Sequence, residues 1–133
     1  PSEDWFRGNF DDSNWQTGPG GFGTSGTPGT TVRTDWKSPD IWVRRDFTLA
    51  DKQTVDRLLL LIHHDEDAEV YLNGVLAAKT SGYTTDYEWY EIRPDARKSL
   101  HPGKNAIAIH CHQTGGGQYI DAGLIELVEP EKQ

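Results

Sequence analysis

His63-His64-Asp65-Glu66-Asp67-Ala68-Glu69-Val70-Tyr71-Leu72-Asn73-Gly74 is the stretch whose reading decides how this chain folds. Ala68, Val70 and Leu72 alternate with Glu69 and Tyr71, the period of a strand with one buried face. Asn73-Gly74 is the pair a two-residue hairpin turn asks for, because both central residues must take positive φ. Residues 75–79 then return as the partner strand. Just upstream, positions 58–62 are apolar without interruption, so that strand belongs mid-sheet with something packed over each face. Between the two strands stand two imidazoles and three carboxylates where a short turn would suffice, and function is expected to touch them.

Further strands follow on either side. Residues 41–49 interleave Ile41, Val43, Leu49 and either Asp46 or Phe47 with Trp42, Arg44 and Arg45, which predicts a strand bulged near Arg45. Residues 87–93 alternate aromatic and charged side chains, 106–112 carry Ile107, Ile109 and Cys111 on one face, and 119–128 read as a closing strand. A polar turn is expected at 50–56, and a connector with one helical turn (95–99) at 94–104. Trp42 and Trp89, lying in strands, read as packing residues, and Trp5, Phe6, Phe10 and Trp15 as anchors around an Asp11-Asp12-Ser13-Asn14 turn. From 17 to 39 Gly, Thr, Ser and Pro dominate, but Phe22, Arg33 and Trp36 inside this run favour an ordered, wrapped loop.

Short strands with turn signals between them and no βα alternation make the chain all-β, an antiparallel sandwich. Its single domain spans 1–128, with a polar tail or linker at 129–133. A length of 133 residues buries a core without staples; the single Cys111 excludes an internal disulfide and reads as a small core residue. A net charge of -8 excludes binding to a phosphate backbone, so no nucleic-acid partner is expected. No apolar stretch approaches membrane-spanning length, and no membrane insertion is expected.

If the chain reverses at every connection, its connections alternate between the two ends of the sandwich. Turns 50–56, 73–74 and 94–104 then share one end, while 18–40, 63–67, 80–86 and 113–118 share the other. The second set collects His, Asp, Gln, Tyr, Trp and exposed glycine backbone, so that end is the candidate site.

Ala68-Glu69-Val70-Tyr71-Leu72-Asn73-Gly74, then Ser81-Gly82-Tyr83, then Leu100-His101-Pro102-Gly103-Lys104-Asn105-Ala106-Ile107-Ala108-Ile109 resemble the galactose-binding-domain-like jelly rolls. The likeness is to the sugar-binding β-sandwich domain of the β-galactosidase and β-glucuronidase group, and to accessory domains of other bacterial glycoside hydrolases and glutaminase-like proteins. Phe10-Asp11-Asp12-Ser13-Asn14-Trp15 and Trp42-Val43-Arg44-Arg45-Asp46-Phe47 extend it over most of the chain. The resemblance implies a noncatalytic module of a larger carbohydrate-active enzyme, secreted or periplasmic, with the parent's catalytic domain as its partner. The sequence departs from that pattern at His63-His64-Asp65-Glu66-Asp67 and in its two long glycine-rich loops.

A glycan site pairs a flat aromatic face with hydroxyl-binding polar groups. Trp36, Tyr83, Tyr87 and Tyr119 offer the first; Arg33, His64, Asp65, Asp86, Gln113 and Gln118 the second. The expected ligand-binding set is Arg33, Trp36, His64, Asp65, Asp86, Gln113, Gln118 and Tyr119, and the expected ligand a glycan. Zinc would need three or four converging ligands from His63, His64, His110, His112 and their carboxylate neighbours. Calcium, which resembling modules often carry, would use Asp65 and Asp67 with loop carbonyls; otherwise no cofactor is expected. Glycoside hydrolysis requires two carboxylates across a cleft, for which this end offers Asp65, Asp67 and Asp86, and no nucleophile elbow or phosphate loop is present. The chain alone is therefore not expected to be an enzyme. A purely structural module packed against a catalytic domain is the rival reading, and a glycoside hydrolase in its own right the third.

Overall fold

The computed structural model describes residues 1–128; the tail expected at 129–133 lies outside them. In chain order the elements are β1 (Phe22–Gly23), β2 (Thr34–Asp35), β3 (Asp40–Leu49), α1 (Lys52–Asp56), β4 (Leu58–Asp65), β5 (Asp67–Leu72), β6 (Val75–Thr80), β7 (Glu88–Tyr90), α2 (Pro94–Ser99), β8 (Gly103–His112) and β9 (Tyr119–Glu126). They form a five-stranded sheet, β2-β1-β9-β4-β7, facing a four-stranded one, β3-β8-β5-β6. The expected all-β sandwich is what the chain forms.

Leu58, Leu60 and Ile62 of β4 and Ile120 of β9 meet Val70 and Leu72 of β5 and Ile109 and Cys111 of β8 between the sheets. Cys111 is fully buried, and burial pushes its thiol up to about 12, which makes it a small core residue rather than a nucleophile. At the hairpin both Asn73 (φ 48°) and Gly74 (φ 81°) are left-handed, the pairing a type I′ turn demands. One edge of the sandwich is sealed by the segment after β7: α2 packs on β5 and β6, and Ile92, Ala96 and Leu100 are buried there.

Several expectations are corrected. His63, His64 and Asp65 continue β4 and Asp67 opens β5, so a single residue, Glu66, stands where a five-residue polar connection was expected. No bulge occurs near Arg45: β3 runs in unbroken register with β8 from Asp40↔His112 to Leu49↔Gly103, with Phe47 rather than Asp46 on the core face. Residues 50–56 include a helix, α1, whose N-cap Asp51 accepts from the Thr54 N–H at 2.8 Å. The strand expected over 87–93 is only Glu88–Tyr90, and the closing strand stops at Glu126. Trp89 is 61% exposed because β7 is an edge strand and its side chain lies on the outer face beside Leu61. The helical turn near 95–99 is α2, and most of 17–39 is ordered loop carrying β1 and β2.

The N-terminal aromatics cover the outside of the four-stranded sheet. Phe6 stacks on Tyr71 (centroids 4.6 Å apart), and Trp5 meets Tyr71 and His110 edge-on. Arg44, on the outward face of β3, clasps this segment: its guanidinium donates to the Trp5 carbonyl (2.6 Å), the Arg7 carbonyl (2.9 Å) and Asp12 (3.0 Å). Its side chain is 4% exposed, so most of its donors meet protein rather than water.

Candidate functional site

Strand register carries the expected segments to one pole. Asp40 and Asp67 both sit opposite His112, Thr80 sits opposite Ala68, and Tyr119 lies between Asp65 and Gly23. The loop 81–87 returns to the same place through a bridge between Tyr83 and Asp65. Residues 63–67, 80–86, 113–118 and the later part of 18–40 therefore meet at this pole as expected, whereas residues 18–20 lie along the flank beside Val43 and Arg45; the 50–56, 73–74 and 94–104 connections gather at the opposite end, where Arg97 donates to the Val55 carbonyl at 2.8 Å and Asn73 to the Ser99 carbonyl at 2.7 Å.

Most of the polar groups at this pole face one another. His64 is buried; its Nδ1 lies 2.8 Å from the Glu66 carbonyl and 3.0 Å from that of Gly82. Two carbonyls can only accept, so Nδ1 carries a hydrogen toward them, and Nε2 lies 3.2 Å from the Tyr90 hydroxyl. Thr84 clips the strand, with its N–H on the His64 carbonyl (2.7 Å) and its hydroxyl accepting from the His64 N–H (3.0 Å). His63 is fully buried between Tyr87 and Tyr119, and its Nε2 donates to the Thr84 carbonyl at 3.2 Å while Nδ1 meets no hydrogen-bond partner.

Burial holds the His63 imidazole below its ordinary value of 6.5, so the ring is neutral at pH 7. An unfolded chain then binds more protons than the native one as pH falls below 6.5, and stability is lost in that direction. Urea melts between pH 7.5 and about 5 should show this loss, and His63→Gln, which cannot titrate, should show a shallower slope. Burial, and then the neighbouring Glu66, pushes Asp65 above the usual carboxylate range. For Asp40, burial acts upward but is outweighed by hydrogen bonds from His110 (2.7 Å) and His112 (2.8 Å), which hold it low.

The remaining expected ligand residues divide sharply. Trp36 is buried, its indole N–H donating to the Ser38 hydroxyl and the Asp40 carbonyl, both at 3.2 Å. Tyr119 is buried, its hydroxyl donating to the Thr31 carbonyl (3.1 Å). Gln118 reaches the Ser38 carbonyl (3.0 Å) and Gln113 the Gly116 carbonyl (3.0 Å), both from buried positions. His64 and Asp65 are likewise inside. Arg33 and Asp86 are exposed, as is Tyr83 at 69% and, less so, Tyr87, whose hydroxyl donates to Asp121. The register thus brings the set together, but it turns six of its eight members inward as braces.

Thr84 and Thr27 were not singled out from sequence, although Thr27 ties the long loop to β9 through the Gln118 N–H (3.1 Å). A threonine among threonines and glycines carries no local signal of such a role. Among the described residues no three His, Cys, Asp or Glu side chains converge on a cation position. Asp65 ends a strand of one sheet and Asp67 begins a strand of the other, where one of its carboxylate oxygens accepts from the Gly82 N–H at 2.7 Å. No helix among the described residues is long and apolar enough to cross a membrane.

No protein-family model matches the chain, and no curated protein sequence matches it. Solved structures do. A glycosyl hydrolase family 2 member from Bacteroides cellulosilyticus DSM 14838 superposes with a TM-score of 0.58 at 16% identity, over 95% of this chain and 19% of that one. A β-glycosidase from Bacteroides vulgatus gives a TM-score of 0.54 at 21% identity, over 92% of this chain and 18% of its own. The chain thus spans about a fifth of the length of each enzyme it matches, and at these identities the likeness is one of fold.

Proposed function

We propose that this chain is a noncatalytic accessory module of a larger glycoside hydrolase, of the galactose-binding-like jelly-roll type, which touches glycan weakly at its loop pole. One observation carries the reading: nearly the whole fold, 95% of it, recurs as 19% of a family 2 glycosyl hydrolase chain. A secreted or periplasmic setting belongs to the same proposal. At the pole the exposed Tyr83 ring supplies a stacking face, with Arg33 and Asp86 as the exposed polar groups nearest in kind to what sugar hydroxyls require. The six inward residues hold the loops in place. A single ring with two polar partners should bind in the micromolar to millimolar range, about -8 to -4 kcal/mol.

Calorimetry of the chain against a panel of plant, algal and host polysaccharides should find at least one ligand. Tyr83→Ala should then weaken it roughly tenfold, about 1.4 kcal/mol, without moving the melting temperature. Absence of binding across the panel would remove the glycan role. Turnover of a glycoside by the pure chain, lost in Asp86→Asn, would overturn the noncatalytic assignment.

A packing role has its own support, on the outer face of the five-stranded sheet. Trp89, Leu61 and Gly123 lie side by side across β7, β4 and β9 on the outside of the five-stranded sheet, with Leu59 and Ile125 in the next row and exposed Leu127 beyond. An apolar strip on a sheet's outer face suits a neighbouring domain.

A further inference from the structure

The two long edges of the sandwich are finished differently. The β6 edge is sealed by α2; at the opposite edge, where β3 faces β1 and β9, the interior opens outward. Phe22, Val43, Ile107, Ile109, Ile120 and Ala122 line a slot of about 390 Å³ there. Thr17, Gly18, Pro19 and Gly20 line it as well, and close approach keeps the two glycines bare: a Cβ on Gly18 would stand 2.8 Å from the Thr34 hydroxyl oxygen, and one on Gly20 3.0 Å from Asp121. Through Thr17, Gly18, Phe22 and Val43 the slot runs into a wider groove of about 840 Å³, lined by Trp15, Gln16, Asp35, Trp42 and Arg45.

Arg45 stands at the junction. On β3 the inward positions are Ile41, Val43, Phe47 and Leu49, and Arg45 occupies the one between them, opposite Ile107. An apolar residue there would help close the sandwich. Instead an arginine lines both the slot and the groove, with no ion pair among the described residues, whereas adjacent Arg44 spends three hydrogen bonds on the N-terminal segment and Asp46 pairs with Lys104 at 3.1 Å. A guanidinium only donates, so the group it awaits is an acceptor oxygen.

We propose that this flank is a second binding site, for a saccharide carrying an apolar substituent. The sugar ring lies in the groove against Trp15 or Trp42, with its hydroxyls on Gln16 and Asp35. The linking oxygen or carbonyl accepts from Arg45, and the alkyl, acyl or aryl group fills the slot. The division follows from the linings: an aromatic surface with mixed polar groups suits a pyranose, and a recess walled chiefly by Phe22, Val43, Ile107, Ile109, Ile120 and Ala122, with Thr17, Arg44, Arg45 and Asp121 as its polar members, suits a hydrocarbon group joined through an oxygen. The ring half of this site rests on the carbohydrate reading above; its location does not depend on the pole.

The test is an NMR titration of the 15N-labelled chain with octyl β-D-glucopyranoside below its micelle concentration, with methyl β-D-glucopyranoside and with octanoate. Octyl glucoside should shift the amides of Gly20, Val43 and Ile109 and bind about tenfold or more tightly than either other probe. Arg45→Ala, at an exposed position, should weaken octyl glucoside about fivefold with the rest of the spectrum intact. Equal affinity for methyl and octyl glucoside, octanoate binding as tightly as the glucoside, or no shift with any probe would overturn the site. Shifts confined to residues 81–83 and 114–117 would overturn it and leave the pole standing; shifts at the flank with a silent pole would support it and count against the pole.

Discussion

Asn105→Ala should lower the unfolding free energy by about 3 kcal/mol, a large share of the roughly 5–15 kcal/mol typical of a domain. Asn105 is 2% exposed and spends its whole amide locally. Its Nδ2 donates to the carbonyls of His101 (2.7 Å) and Gly103 (3.1 Å), while its Oδ1 accepts from the His101 N–H (3.1 Å) and from Asn73 Nδ2 (2.8 Å). Asn73 in turn accepts from the Ala106 N–H at 2.8 Å and supplies the first left-handed residue of the hairpin turn. Truncation strands these groups and unties the turn after β5 from the entry to β8. Asn105→Asp sets a buried carboxylate oxygen against the carbonyl oxygens of His101 and Gly103, so at pH 7 it should lose at least as much as Ala. Equilibrium urea melts with unchanged slope would give these values; a loss under about 1 kcal/mol for the Ala variant would show that water replaces the amide.

Gly29→Ala should be about as damaging, and a matched control makes the cause visible. Gly29 (φ 74°) and Gly82 (φ 73°) have nearly the same positive φ, so an alanine at either bears a conformational cost of about 1 kcal/mol. They differ in surroundings. A Cβ on Gly82 meets nothing within 4 Å, whereas one on Gly29 would stand 1.8 Å from the Thr85 carbonyl oxygen. The long loop must therefore lift off residues 84–86, for a total loss of about 2–4 kcal/mol, while Gly82→Ala loses about 1. Because Thr84 and Tyr87 enclose His63, the Gly29 variant should also speed hydrogen exchange at His63 and His64, which the Gly82 variant should leave unchanged. Similar losses at both sites would mean that backbone conformation alone decides.

How far the sequence could be read depends on how local each cause is. Asn73-Gly74 was legible because two adjacent residues determine the turn. The alternation 68–72 and the unbroken apolar run before it were legible for the same reason, and the pole followed from counting reversals. The inward placement of His63 and His64 was not, since what makes a buried imidazole tolerable here is Thr84 and Tyr90, at least twenty residues away in the chain. Trp36 misled because a tryptophan in a glycine-rich loop looks available, yet its N–H finds the Asp40 carbonyl and the ring joins the core. Trp89 misled the other way: alternation places a residue on a face, but it does not say whether that face is covered.

The arginine that pins residues 5–12 also settles which broad side of the molecule is left for company. With Trp5, Phe6 and Phe10 already laid over the four-stranded sheet, a neighbour seeking an apolar contact finds that flank taken, and on the five-stranded one it finds the exposed Trp89 and Leu127 at the end away from the buried His63 and Tyr119. Anyone trimming the gene should start no later than residue 5: a chain begun at residue 17 would strip Tyr71 and His110 of their cover and leave an aromatic patch open to self-association.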